Sequence, residues 1–185
     1  MTRSPSASTT LLAARRGLPY RIVFVCTGNI CRSPMAEVIT RALADDTVLP
    51  DRSTLGSHLE LTSAGTGPWH DGEPMHDNTA RALARGGFPD YPHVARQVVS
   101  AQLGAYELVV ALDRRHLQTL RGLGADPDRL VLLRAFDEAT GAAVDVPDPY
   151  YGDAAVFDEC RDQITAACHG LVSALAANWE TITAG

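Results

Sequence analysis

Cys26 and Arg32 stand near the two ends of a short run, Cys26-Thr27-Gly28-Asn29-Ile30-Cys31-Arg32-Ser33. Five residues separate the cysteine from the arginine, enough to curl the backbone into a ring with its N–H groups turned inward. Such a nest binds anions before any side chain is considered, and a helix N-terminus closing it strengthens the effect. Arg32 adds a two-pronged donor for phosphate oxygens. The same positive surroundings favour the thiolate form of Cys26, the form that acts as a nucleophile. An anion cradle beside a thiolate reads as phosphoryl transfer to cysteine.

Other readings explain less of the run. Cys26 and Cys31 could supply two zinc ligands, but no second Cys/His pair at ligand spacing follows nearby, so no metal is expected. A nucleotide P-loop needs a Gly-Lys-Ser/Thr ending that the run lacks. A merely structural Cys26 at a strand end leaves Arg32 and the glycine loop without a purpose.

The elements around the run must present it. Arg21–Val25 reads as a buried strand leading into the loop, and Pro34–Ala44 as a helix with proline at its first position. Further along come a strand over Leu59–Ser63 and a helix over Asp77–Arg85 stopped by Gly86-Gly87 and Pro89. A strand over Glu107–Leu112, a helix from about Arg114 to Leu123 and a strand over Leu130–Leu133 follow. A long last helix is expected from near Asp153 to about Trp179. Strands alternating with helices predict an α/β three-layer sandwich around a central four-stranded parallel sheet, Rossmann-like in character. Ligands of such sheets sit at the carboxyl ends of the strands, where Cys26 falls.

Phosphoryl transfer from a phenol also needs an acid for the leaving oxygen. With 22 acidic residues, spacing alone does not choose one. Asp148-Pro149-Tyr150-Tyr151-Gly152 is the best local candidate, a turn-rich loop whose two aromatics can wall a slot for a flat ring. The competing reading of Asp148 is a cap for the long last helix.

The length of 185 residues fits a single domain with a substantial core, expected over 20–180 and flanked by a flexible extension at 1–19 and a tail at 181–185. The net charge of −6 and the lack of a basic block argue against nucleic acid as a partner. Phosphate attraction must therefore be local to the loop, because the overall field repels anions. No apolar run approaches a membrane span. Four cysteines form no recognisable disulfide framework, and a catalytic thiolate needs reducing surroundings, so the cytoplasm is the expected location. Residues 1–19 read as a flexible tail or an over-called start rather than a targeting signal, which leaves signal-independent export open.

The run from Val25 to Glu37 resembles the signature of the low-molecular-weight protein tyrosine phosphatases, in particular the actinobacterial type. Ser63-Ala64-Gly65-Thr66, Trp69-His70, His93-Val94-Ala95-Arg96-Gln97, Ala111-Leu112-Asp113 and the Asp148 loop occur in the family's order, so that the resemblance covers about residues 20–180. It implies Cys26 as nucleophile, Arg32 with Thr27, Gly28, Asn29, Ile30, Cys31 and Ser33 as the phosphate site, and Asp148 as acid and then base. It further implies that the Asn29 side chain is tied to Ser63 and His93, and that Ser33 supports the thiolate through its hydroxyl. Trp69, His70, Asp113, Tyr150 and Tyr151 are then expected at the substrate cleft. No cofactor is implied; the partners are phosphotyrosine-containing proteins, with inorganic phosphate as product and inhibitor. Cys31 is close enough in sequence to be a redox partner that traps oxidised Cys26 as a disulfide.

Three other classes use or mimic this architecture. Arsenate reductases need resolving cysteines, but Cys160 and Cys168 fall with Phe157, Ile164, Leu171 and Leu175 on one apolar helical stripe, which predicts core packing. Protein arginine phosphatases resemble the chain more closely, yet Ile30 and the Tyr150-Tyr151 pair favour a phosphotyrosine ring. An idle phosphate-binding module has no use for a reactive thiol.

Overall fold

The structure, a computed structural model, describes residues 19–183. The extension expected at 1–19 therefore lies, but for Pro19, outside the described residues. The first strand, β1 (Tyr20–Cys26), is apolar throughout its length except at Arg21, as suits a strand covered on both faces. The loop after it runs into α1 (Arg32–Asp45). Then come β2 (Leu59–Gly65), α2 (Asp77–Arg85), β3 (Leu108–Ala111), α3 (Arg114–Gly122) and β4 (Leu130–Leu132). The chain closes with α4 (Ala154–Ala177) and the short α5 (Trp179–Thr183).

All neighbouring strands are parallel, in the order β2-β1-β3-β4. The chain winds to one side of β1 to make β2 and then crosses to its other side to make β3. That reversal opens a crevice at the carboxyl end of β1, the place where such sheets bind ligands. Cys26 is the last residue of β1, in register with Gly65, and occupies that place.

The period-two alternation of β1 assigns its side chains to two cores. Ile22, Phe24 and Cys26 join Met35 and Ile39 of α1 and Phe157, Ile164 and Leu171 of α4. Val23 and Val25 meet Val109 of β3 and Leu120 of α3 on the opposite face. Helix, sheet and helix thus form the three expected layers. Cys160 and Cys168 are buried on the inner stripe of α4, as their spacing predicts.

Several boundaries differ from expectation. Helix α1 starts two residues early, at Arg32, so Pro34 is its third residue and not its first. Proline is tolerated there because first-turn N–H groups have no partner within the helix. The last helix breaks at Asn178, and residues 181–183 of the expected tail continue α5, with Ile182 buried. Asp153 caps α4 by accepting from the Ala155 and Val156 N–H groups, which removes the capping role considered for Asp148.

Candidate active site

Asn29 is fully buried and sits at φ 58°, the left-handed region that asparagine enters more readily than most residues. Its side-chain amide donates to Ser33 Oγ and to Ser63 Oγ, each at 2.9 Å, and its Oδ1 accepts from the Arg96 backbone N–H, also at 2.9 Å. Both amide hydrogens and the amide oxygen are therefore engaged. The tie to His93 differs from expectation: His93 Nε2 lies 2.7 Å from the Asn29 main-chain carbonyl, not from its side chain. Asn29 is fixed through both backbone and amide, because a left-handed residue inside a ring needs its peptide planes held as well as its tip.

The same network reaches the thiol. Ser33 Oγ lies 3.0 Å from Cys26 Sγ and 3.3 Å from the Ala64 carbonyl. Since Asn29 Nδ2 donates to Ser33 Oγ, the Ser33 proton is left for these two acceptors, and a thiolate at Cys26 is the stronger draw. Behind Asn29, Ser63 Oγ donates to Glu37 Oε2 at 2.7 Å. Glu37, nearly buried one turn along α1 from Ser33, anchors the far end of this chain.

Two glycines permit close approaches here, Gly28 to the His70 side chain and Gly65 to the loop backbone. A Cβ at Gly28 would meet the His70 ring at 2.7 Å, and one at Gly65 would meet the Thr27 carbonyl at 2.8 Å. The loop thus packs on β2 at a distance that only glycine permits.

Arg32 is 3% exposed. Its Nη1 donates to Asp113 Oδ2 at 2.9 Å and to the Val146 carbonyl at 3.1 Å. Its Nη2 donates to Asp148 Oδ2 at 2.7 Å and to Thr27 Oγ1 at 3.2 Å. Its Nε is buried and has no partner among the described residues, a donor suited to an oxyanion. Asp148 also accepts from the Tyr150 N–H at 3.2 Å, which turns its loop back over the site.

A cleft of about 360 Å³ opens over this arrangement. Cys26, Thr27, Gly28, Ile30, Cys31 and Arg32 form its floor, and Trp69, His70, Asp148, Tyr150 and Tyr151 line the rest. Tyr150 meets Tyr151 edge-on at 4.8 Å and stands 5.9 Å from the His70 ring, while Trp69 and Tyr151 are largely exposed. Trp69 is therefore a rim residue and not a core plug. Asp113 departs from the expected cleft position: it lies beside Arg32 in an adjoining hollow and caps α3 by accepting from the His116 N–H at 2.9 Å.

Cys31 is buried, and loss of hydration pushes its thiol up to about 12, so it stays protonated at neutral pH. Burial pushes Cys160 and Cys168 to about 12 as well, and Cys168 accepts from Thr40 Oγ1 at 3.2 Å.

Sequence reasoning missed Glu37, Arg96 and His116. Glu37 carried a readable signal, being a charged residue one helical turn from Ser33 and flanked by the apolar Ala36 and Val38. His116 stands three residues after a cap, the position whose N–H a capping aspartate takes.

Comparison with known proteins agrees with this geometry. The model of the family described as low molecular weight phosphotyrosine protein phosphatase matches residues 21–181. The low molecular weight protein-tyrosine-phosphatase of Streptomyces coelicolor is 45% identical over 162 residues, covering 85% of this chain and 94% of that protein. The low molecular weight protein-tyrosine phosphatase A of Mycobacterium tuberculosis is 46% identical over 154 residues, covering 83% and 90%. The crystal structure of YfkJ from Bacillus subtilis superposes with a TM-score of 0.76 at 33% identity, covering 89% of this chain and 99% of that one. A nearly end-to-end match in sequence and in fold, on a loop built around a cysteine and a buried arginine, makes this chain a member of the low molecular weight protein tyrosine phosphatase family.

Proposed function

We propose that this tyrosine phosphatase works in two steps with Cys26 as nucleophile, Arg32 and the loop N–H groups from Thr27 to Ser33 as the phosphate site, and Asp148 as acid and then base. The observation that carries the assignment lies at the loop's ends: Cys26 Sγ at 3.0 Å from Ser33 Oγ, and a buried Arg32 whose Nε has no partner among the described residues. In the first step the Cys26 thiolate forms a bond to phosphorus as the bond to the tyrosine oxygen breaks, and Asp148 gives that oxygen its proton. In the second, Asp148 takes a proton from water, the water oxygen bonds to phosphorus, and the sulfur leaves again as thiolate. Arg32 and the loop amides stabilise charge on the equatorial oxygens throughout.

The slot between Trp69, His70, Tyr150 and Tyr151 supports phosphotyrosine proteins as substrates, since its aromatic walls suit a flat ring. Inorganic phosphate, the product, would compete for the same loop. The catalytic unit is proposed to span residues 20–180 and to work in the cytoplasm, where a thiolate stays reduced. Among the described residues no helix is long and apolar enough to cross a membrane.

The test is phosphate release from matched phosphotyrosine, phosphoserine and phosphoarginine peptides, with EDTA present and Cys26→Ser as control. Release from phosphotyrosine alone, lost in Cys26→Ser, is expected. Appreciable turnover by Cys26→Ser would overturn the mechanism, and preference for phosphoarginine would overturn the substrate assignment.

A further inference from the structure

Four side chains close a ring behind the phosphate site. Arg32 Nη2 donates to Thr27 Oγ1 at 3.2 Å, and Thr27 Oγ1 lies 2.9 Å from His116 Nε2. His116 Nδ1 stands 3.1 Å from Asp113 Oδ1, and Asp113 Oδ2 accepts from Arg32 Nη1 at 2.9 Å. His116 is 3% exposed and lies behind Thr27, beside the adjoining hollow and not among the residues that line the cleft, so its burial serves something other than contact with substrate.

The Asp113 contact gives the ring its direction. Arg32 can only donate, so Thr27 Oγ1 accepts from it and keeps its own proton to give. The Asp113 carboxylate oxygen 3.1 Å from Nδ1 favours the ring's own hydrogen there, which leaves Nε2 to accept from Thr27. The contact there is electrostatic rather than a well-aligned hydrogen bond, since Nδ1 has no hydrogen-bond partner among the described residues. The opposite tautomer would set a lone pair of Nδ1 against a carboxylate oxygen. We propose that His116 is a positioning residue: acting through Thr27 and Asp113, it holds the Arg32 guanidinium in the plane that phosphate requires.

The surroundings keep His116 in the uncharged state that this role demands. Burial and the Arg32 charge push it down to about 4, outweighing Asp113, Asp148 and Asp145, which act in the other direction. A charged imidazole would present Nε2–H to a hydroxyl that Arg32 already occupies and would set two cations on one oxygen. The ring therefore uses histidine as a neutral group with one acceptor and one donor on opposite edges, a pattern that no aliphatic side chain supplies.

The inference rests on Arg32 being the phosphate-binding residue, and the experiment separates the two. Inhibition by inorganic phosphate and kcat/KM on a phosphotyrosine peptide are measured at pH 7 for Thr27→Val, His116→Leu, their double variant, His116→Gln and Arg32→Ala, with thermal melts alongside. Thr27→Val and His116→Leu should each weaken phosphate inhibition roughly fivefold to tenfold, the scale of one buried hydrogen bond, and the double variant should be no worse than the poorer single. His116→Gln, whose side-chain oxygen can accept from Thr27, should recover to within about twofold of wild type. Additive losses in the double variant, or wild-type phosphate affinity in a folded His116→Leu, would overturn the proposal. If His116→Leu does not fold, Thr27→Val decides alone: wild-type phosphate affinity there also overturns it. Unchanged turnover in Arg32→Ala would instead overturn the assignment of Arg32 itself.

Discussion

Arg32 Nη2 and Asp148 Oδ2 lie 2.7 Å apart, so the proposed phosphate-binding cation and the proposed acid are an ion pair. Arg32 is buried while Asp148 is about half exposed, which leaves the carboxylate as the partner that can move. A phosphate dianion offers the guanidinium two oxygens where Asp148 offers one, and so displaces it.

Asp148→Ala should consequently have opposite effects on turnover and on binding. Turnover of phosphotyrosine should fall by about 10²- to 10⁴-fold, the usual share of a general acid, and most for poor leaving groups. Inhibition by phosphate should strengthen, because a competitor for Arg32 is gone. Steady-state kinetics with phosphate as inhibitor read both, and weaker phosphate binding would show that the ion pair does not compete.

Asn29 can be dissected by two substitutions. Asn29→Gly keeps the φ of 58° without strain and loses only the side-chain bonds, whereas Asn29→Ala loses the bonds and adds strain. Urea melts should show a loss of roughly 1–3 kcal/mol for glycine and about 1 kcal/mol more for alanine. Equal stability of the two variants would mean that the loop relaxes out of the left-handed conformation.

Cys31 should govern recovery from oxidation. Its thiol, pushed up to about 12, stays protonated at neutral pH, so peroxide is expected to attack Cys26 first, giving a sulfenic acid that Cys31 then condenses with, releasing water. Dithiothreitol should restore most activity to the wild type and much less to Cys31→Ser. Equal recovery removes Cys31 from any protective role.

The depressed His116 also leaves a mark on stability. Its folded value of about 4 lies below the ordinary 6.5, so between those values the unfolded chain binds the extra proton. The contribution is fully present above pH 6.5 and is lost as pH falls towards 4, by on the order of 3 kcal/mol in all. Urea midpoints measured from pH 7 to pH 4.5 should fall more steeply for the wild type than for His116→Gln; parallel curves would mean that His116 charges freely in the folded protein.

Much of this protein follows from its sequence because the decisive interactions are local. The loop from Cys26 to Ser33 is legible as a candidate anion site from its own spacing, and the period of two in β1 fixes the face that Cys26 shares with Ile22 and Phe24. The stripe of α4 likewise settled that Cys160 and Cys168 are core residues. Tertiary structure decided what Arg32 does between substrates. Its partners Asp113 and Asp148 stand 81 and 116 positions away along the chain, and their meeting depends on β1 and β3 lying side by side with the Val146–Asp148 segment folded over their ends. Hydrogen bonds act over about 3 Å whatever the sequence separation, so a pairing across the crevice leaves no periodicity to read. For the same reason His116 passed for an ordinary helix residue, and only the packing of α3 against the loop showed that it completes a ring with Thr27, Asp113 and Arg32.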